Sequence, residues 1–310
     1  MKPGQYVKVP WGKKTRNGFV VEFVERLPEA LQDTEIKTVQ EILCPQVLIG
    51  AEVWKLVGWL RQFYFGTWPQ AVRCVLPGPV LQGLRRSTKS RTTPDNDEYE
   101  VEEQPPELTA DQAAVWKALS EQLHEGATFL LHGVTGSGKT EIYLRATAEC
   151  LARGQTALVL VPEVALTPQT QARYRRRFGA QVSILHSGLT GAQRREQWWR
   201  IAERGARVVV GTRSAVFAPL DNLGLIVVDE EHDSSYKQNS EIRYHARQVA
   251  AWISQRTGCT VLLGSATPCL ESYTLAQNGR YRLLELPNRV SGRSLPEVRI
   301  LKGHGLPHEA

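Results

Sequence analysis

The five cysteines lie far apart in the sequence. Cys44, Cys74, Cys150, Cys259 and Cys269 are scattered, with no C-x-x-C pair. Neither structural zinc nor a disulfide framework is therefore expected. No apolar run reaches the roughly 18 residues that a membrane helix needs. The N-terminus, "MKPGQYVKVP", lacks the apolar stretch of a signal peptide. No internal repeat is present either. These absences point to a soluble protein in a reducing cytoplasm, with no membrane partner. Strong charge imbalance is also missing: Lys+Arg total 38 against 32 Asp+Glu, a net +6 over 310 residues. So mild an excess permits a nucleic-acid partner without demanding one.

What is there divides into zones. Residues 1–82 are rich in Val, Trp and other aromatics. "QYVKVPWG" and "NGFVVEFVE" read as two strands with "KKTRNG" as the turn between them. "GAEVWKLVGWLRQFYF" reads as a helix, since Val53, Leu56, Val57, Leu60 and Tyr64 fall at helical spacing. Residues 83–105, "GLRRSTKSRTTPDNDEYEVEEQP", hold few apolar side chains, begin basic and end acidic. That is linker composition, with too little apolar surface to offset the entropy of ordering. Over 106–290, short β-branched or Leu-rich runs alternate with stretches long enough for helices: "TFLL", "TALVLV", "VSIL", "RVVVG", "LGLIVVD" and "TVLLG". Near-continuous apolar strands with such connections predict an α/β fold with a parallel sheet covered on both faces. Residues 291–310 read as a tail.

"GVTGSGKT", Gly133 to Thr140, matches G-x-x-x-x-G-K-[ST] in full, after the strand "TFLLH" and before the helix "EIYLRATAECLA". Gly133, Gly136 and Gly138 permit a backbone that a Cβ forbids. Loop amides at a helix N-terminus then make an anion nest. Lys139 supplies a positive charge for the β- and γ-phosphates, and the Thr140 hydroxyl a ligand for Mg²⁺. Gly133, Thr135, Gly136, Ser137, Gly138, Lys139 and Thr140 are thus the candidate nucleotide-binding residues.

"LIVVDEEH" ends an apolar strand in Asp229. Ligands of parallel sheets sit beyond the strands' carboxyl ends, so Asp229 is placed to hold Mg²⁺ beside Thr140. Glu230 is the candidate base that orients the attacking water. D-E-x-H with G-K-T resembles the superfamily 2 helicases. In them a glutamine upstream of the phosphate loop, here Gln112, meets adenine. "GSATP", with Ser265 and Thr267, resembles the motif that couples hydrolysis to motion. "VPEVALTPQ" and "VGTRSAVFAPL", with Thr212 and Arg213, resemble strand-end loops that grip single-stranded nucleic acid.

A closer resemblance follows. "LLHGVTGSGKTEIYL", "LVPEVALTPQT", "LHSGLT", "VVGTRSAVFAPL", "VVDEEHDSSYKQ", "YHARQVA" and "VLLGSATPCLES" resemble the primosomal protein N′ (PriA) family of bacterial replication-restart helicases. "GQYVKVPWGKKTRNGFVVEF" resembles that family's 3′-DNA-binding domain. The resemblance implies a RecA-like helicase lobe preceded by a small β-rich DNA-binding domain. It implies ATP and Mg²⁺ as ligands, forked and single-stranded DNA as substrates, 3′ to 5′ unwinding, and single-strand-binding and primosome proteins as partners. The chain itself is expected to be a monomer. It further implies that the segment after DEEH is an aromatic-rich loop sensing single-stranded DNA. Tyr236 and Tyr244 would stack on bases, Lys237, Arg243 and Arg247 would meet phosphates, and His232 would join the metal site to "GSAT". Lys13 and Lys14 would hold duplex.

The sequence also departs from that pattern. The family's first strand and 3′-end pocket are expected ahead of Met1. No winged helix fits in 83–105, and neither the second lobe nor the zinc-binding cysteines follow. Gln248 stands where the family has aspartate. The expectation is a half-motor with low turnover by itself. The rival readings are a DNA-binding adaptor without motor activity and an ATPase of another helicase branch. The arginines of "ARYRRRFG" (Arg173, Arg175, Arg176, Arg177) read as a solvated helix face, Trp198 and Trp199 as helix packing. His186 and Ser187 read equally as a DNA contact or a turn.

Overall fold

The computed structural model describes residues 1–26, 29, 32, 35–82 and 105–290. The linker and tail assigned from composition lie almost wholly outside the described residues. The N-terminal part is an antiparallel sheet of β1 (Gln5–Trp11), β2 (Lys14–Phe19) and β3 (Glu41–Val47) in the order β2-β1-β3. The hairpin turn is Gly12–Lys13, with Trp11 opposite Lys14. "KKTRNG" is therefore not the turn: most of it is strand, and Val20 to Glu25 lie beyond β2. Gly12 has φ +58°, which suits the reversal, so the break sits there rather than at Asn17–Gly18. Pro45 interrupts β3, as tolerated only at a sheet edge.

Helix α1 (Ala51–Phe63) buries Leu56, Val57 and Leu60 on one face. Helix α2 (Trp68–Val75) starts at a Thr67/Gln70 capping box, and α3 (Gly78–Gln82) closes this part of the chain.

The rest is a seven-stranded, wholly parallel sheet. Its strands are β4 (Thr128–Gly133), β5 (Thr156–Leu160), β6 (Val182–Leu185), β7 (Val208–Gly211), β8 (Leu223–Val228), β9 (Thr260–Ser265) and β10 (Arg282–Leu286). Their order is β10-β4-β9-β8-β5-β7-β6. Six were legible; β10 was not, because "RLLEL" carries charge at both solvent-facing positions. Helices α4 (Ala110–Ser120), α5 (Lys139–Ala152), α6 (Pro168–Phe178), α7 (Gly191–Ala202), α8 (Ala246–Thr257) and α9 (Leu270–Gln277) cover the sheet.

Alternate residues of each strand feed two cores. Phe129, Leu131, Val159 and Val227 join Ile142 and Tyr174. Leu130, Leu158, Ile226 and Val228 join Val249 and Ala250, and that second core continues into Leu56, Val57 and Leu60 of α1. The N-terminal unit is thus packed on the lobe through apolar contact. Trp59 stacks on Trp252 at 5.5 Å, and the Tyr64 hydroxyl donates to Gln248 Oε1 at 2.6 Å. No helix among the described residues is long and apolar enough to cross a membrane.

Strand order sets the site. β9 lies between β4 and β8, so three strand-end loops meet: "GVTGSGKT", "GSATP" and "DEEH".

Candidate nucleotide site

Gly136 and Gly138 take φ of +82° and +80°, the left-handed region that glycine enters without strain. A Cβ at Gly138 would run into the Gln112 side-chain amide. Gln112 is buried and fully engaged. Its Oε1 accepts Thr109 N–H at 3.0 Å, completing the α4 capping box, and its Nε2 donates to Ser137 O at 3.1 Å. The glutamine expected to face adenine thus braces the loop.

Lys139 is nearly buried. Its ammonium donates to Gly133 O at 2.8 Å and lies 3.8 Å from Glu230 Oε1. Ser137 Oγ is buried and has no hydrogen-bond partner among the described residues. Thr140, half-buried, opens α5, while Thr135 is exposed on the loop.

Asp229 follows β8 directly. Tyr143 of α5, fully buried, donates its hydroxyl to Asp229 Oδ1 at 2.9 Å, and Glu230 N–H donates to the same oxygen at 3.0 Å. Burial, and then the neighbouring Glu230 carboxylate, raise the Asp229 carboxyl above its ordinary range. A divalent cation would relieve that cost. Glu230 stands at φ +43°, a strained position for a residue with a Cβ. His232 Nδ1 lies 2.7 Å from Ser265 Oγ, which also accepts Thr267 N–H at 2.9 Å. The arrangement therefore brings together Lys139, Asp229, Glu230, His232, Ser265 and Thr267. A glycine-rich loop with an orphaned hydroxyl, next to a threonine hydroxyl and a carboxylate, has the donor set for a phosphate chain and a hard cation such as Mg²⁺.

The aromatic-loop expectations need correction. Tyr236 is fully buried and donates its hydroxyl to the Asp229 backbone oxygen at 2.6 Å; Tyr244 is buried against Phe217 at 4.9 Å. Neither ring can take a base here, because each fills the core between loop and lobe. Arg247 is not a free cation. It binds the Glu231 carboxylate and approaches Cys269 Sγ at 2.6 Å. Arg213 is spent on the carbonyls of Ser235 and Lys237, both at 2.9 Å, and Thr212 is buried. Lys237, Arg243, Lys13 and Lys14 remain exposed. Arg177 is not solvated: it pairs with Glu141 at 2.8 Å with little exposure, because Glu141 opens α5 beneath α6. Trp198 is buried in helix packing.

Sequence reasoning missed Tyr143 and Glu231. Tyr143 stood four residues after Lys139 on the same helix, a spacing that returns it toward the site. Glu231 carried no signal of its own. It is wholly buried, accepting Cys269 N–H at 2.8 Å and Ser272 Oγ at 2.9 Å besides Arg247.

His245 caps α8, its Nδ1 accepting Arg247 N–H at 3.3 Å. Burial, helped by the charges of Arg247 and Lys237, lowers its pKa to about 4. Unfolded histidine titrates near 6.5. Between those values the unfolded chain holds a proton that the folded chain does not, so stability falls as pH drops. Discounted for partial solvent exposure, the loss is about 1–2 kcal/mol. Urea unfolding at pH 7 and pH 5 should show it, and His245→Asn, which can still cap, should flatten that slope. Equal slopes in both proteins would count against it.

The family model for DEAD/DEAH box helicases matches residues 109–274, more than half of the chain and all the loops just described. The chain belongs to that helicase family. The model for the 3′ DNA-binding domain (3′BD) of PriA matches residues 1–77. The chain is 50% identical over 210 residues to the replication restart protein PriA of Bacillus subtilis (strain 168), covering 67% of this chain and 26% of that protein. It is 38% identical over 305 residues to PriA of Treponema pallidum (strain Nichols), covering 96% of this chain and 45% of that protein. This helicase-family chain thus spans less than half the length of these two relatives, and resembles their N-terminal part. Among solved structures, the Pyrococcus furiosus Hef helicase domain is similar over 56% of this chain and 37% of that one, at 22% identity and a TM-score of 0.42.

Proposed function

We propose that the chain is the nucleotide-binding lobe and DNA-binding unit of a 3′ to 5′ DNA helicase of replication restart, acting on forked and single-stranded DNA with ATP. Single-strand-binding and primosome proteins would be its partners in the cytoplasm. The observation that carries this reading is the approach of Lys139 to Glu230, beside Asp229, on a loop whose Ser137 hydroxyl is buried without a partner.

Lys139 would release Gly133 O and take the β- and γ-phosphates, and the loop amides would hold the chain in line. Thr140 and Asp229 would hold Mg²⁺, which would supply charge neutralisation of the phosphates. Glu230, freed from Lys139, would orient the attacking water and accept its proton. Gln112 would meet adenine after releasing the loop carbonyl. The His232–Ser265 contact would carry the state of the phosphates to "GSATP". Lys237 and Arg243 would touch the DNA backbone, and Lys13 and Lys14 the duplex. In two-lobed motors a facing lobe supplies an arginine finger worth ~10³–10⁵ in turnover, so the lobe assayed alone is expected to turn over feebly.

The test is nucleotide binding and steady-state ATPase by the 310-residue chain, with and without forked and single-stranded DNA. Mg²⁺-dependent nucleotide binding is expected, weakened by about 100-fold in Lys139→Ala, since a charge-assisted contact to phosphate is lost. A wild-type chain that binds no nucleotide, but does bind DNA, would leave the adaptor reading standing instead.

A further inference from the structure

The segment after β10 forms one wall of the phosphate loop. Val134 N–H donates to Leu286 O at 3.1 Å, and Val290 N–H donates to Gly136 O at 3.0 Å. Asn288 Nδ2 reaches Asp111 Oδ2 of α4 at 2.9 Å. Between those ties stands Arg289. Its stem passes over Gly136, with Cγ and Cδ 3.9 and 4.0 Å from where a Cβ would stand.

Arg289 Nε is buried and has no hydrogen-bond partner among the described residues. An arginine is donor-only and permanently charged, and a buried donor left unmade carries its full desolvation cost. Two other arginines, Arg177 and Arg213, also have an orphaned Nε. They differ in that one Nη of each is engaged, that of Arg177 by Glu141 and that of Arg213 by the carbonyls of Ser235 and Lys237. No hydrogen bond or ion pair within the described chain engages any nitrogen of Arg289. The second orphan on this loop is Ser137 Oγ. Two unpartnered polar groups therefore flank one anion nest, one of them a cation.

We propose that Arg289 is a phosphate-binding residue of the nucleotide site, contributed by the chain itself alongside Lys139. This rests on the nucleotide reading above. A guanidinium matches phosphate oxygens in a fork, which a lysine cannot do. The backbone ties at Val134 and Val290 hold it against the loop whichever ligand enters.

The experiment measures binding of Mg-ATP, a non-hydrolysable ATP analogue and inorganic tripolyphosphate to the 310-residue chain, by competition against a fluorescent nucleotide. Wild type, Arg289→Ala, Arg289→Lys and Lys139→Ala are compared. Arg289→Ala removes no hydrogen bond within the protein, so its thermal unfolding should match wild type. It should weaken nucleotide and tripolyphosphate alike, by about 10–100-fold, and Arg289→Lys should recover part of each. Arg289→Ala within twofold of wild type overturns the proposal. So does loss of nucleotide with tripolyphosphate unaffected, which would make Arg289 a contact to the base. If Lys139→Ala loses binding while Arg289→Ala does not, only this inference fails. If wild type binds neither ligand, the nucleotide reading fails and takes this inference with it.

Discussion

Replacing Arg247 by alanine is expected to destabilise the chain by about 3–5 kcal/mol, because it leaves a buried carboxylate without its counter-charge. Glu231 has no exposure to solvent, and its other side-chain partners, Cys269 N–H, the Cys269 thiol and the Ser272 hydroxyl, are neutral dipoles. They cannot replace a cation. The cluster also joins distant parts of the chain. Glu231 N–H donates to Gly264 O at 3.0 Å, while Arg247 opens α8 and Cys269 and Ser272 open α9. Loss of Arg247 therefore loosens the "DEEH" turn from "GSATP". Chemical denaturation measures the cost. Glu231→Gln placed on Arg247→Ala should recover a substantial part, since an amide needs no counter-charge. A loss under 1 kcal/mol for Arg247→Ala, with no recovery in the double variant, would mean that water reaches Glu231 and the cluster is not closed.

Gly264→Ala is the second substitution of large expected effect. A Cβ there would overlap the Tyr143 hydroxyl, and Gly264 sits inside β9, paired to β4 on one side and next to β8 on the other. The strand cannot back away. Tyr143 is fully buried and cannot either. The tyrosine must leave its rotamer, breaking its bond to Asp229 Oδ1. Overpacking of this kind costs about 1–3 kcal/mol or more, with about 1–3 kcal/mol added for the lost bond to a charged acceptor. Two readouts follow: a lowered denaturation midpoint and a weaker dependence of nucleotide binding on Mg²⁺. Tyr143→Phe removes the clashing oxygen but leaves the ring Cζ at 2.7 Å from the new methyl, so the double variant should regain part of the stability lost in Gly264→Ala. It should not regain the orientation of Asp229. Additive destabilisation by the two changes would show that the tyrosine is not what the new methyl meets.

How much of this was legible varies by residue. The glycine-rich loop was legible in full, because its backbone demand is local: glycines free to take positive φ ahead of a helix, all within eight consecutive residues. Asp229 was legible because a short β-branched apolar run ending in a carboxylate fits a strand end in a parallel sheet. Strand β10 was not, since its charged positions hide a periodicity only five residues long. The resemblance implies that Tyr236, Tyr244 and Arg247 face DNA, whereas the two rings are buried and the arginine pairs with Glu231. Their burial is set by α1, α8 and the 213–217 turn closing over the loop, and no local pattern carries that information. Arg289 drew no attention, because a lone arginine after a strand has no motif.

The sequence by itself determined the parallel lobe, the glycine-rich loop and the carboxylate at the end of β8. Hydrophobic periodicity and backbone chemistry act over a few residues and leave their mark in the order of the letters. Only the tertiary structure decided which charged groups are spent inside the protein and which are left for a ligand. Pairing depends on the strand order β4-β9-β8, which brings residues about 100 positions apart within hydrogen-bonding distance. A side chain becomes free or engaged only when that packing is complete.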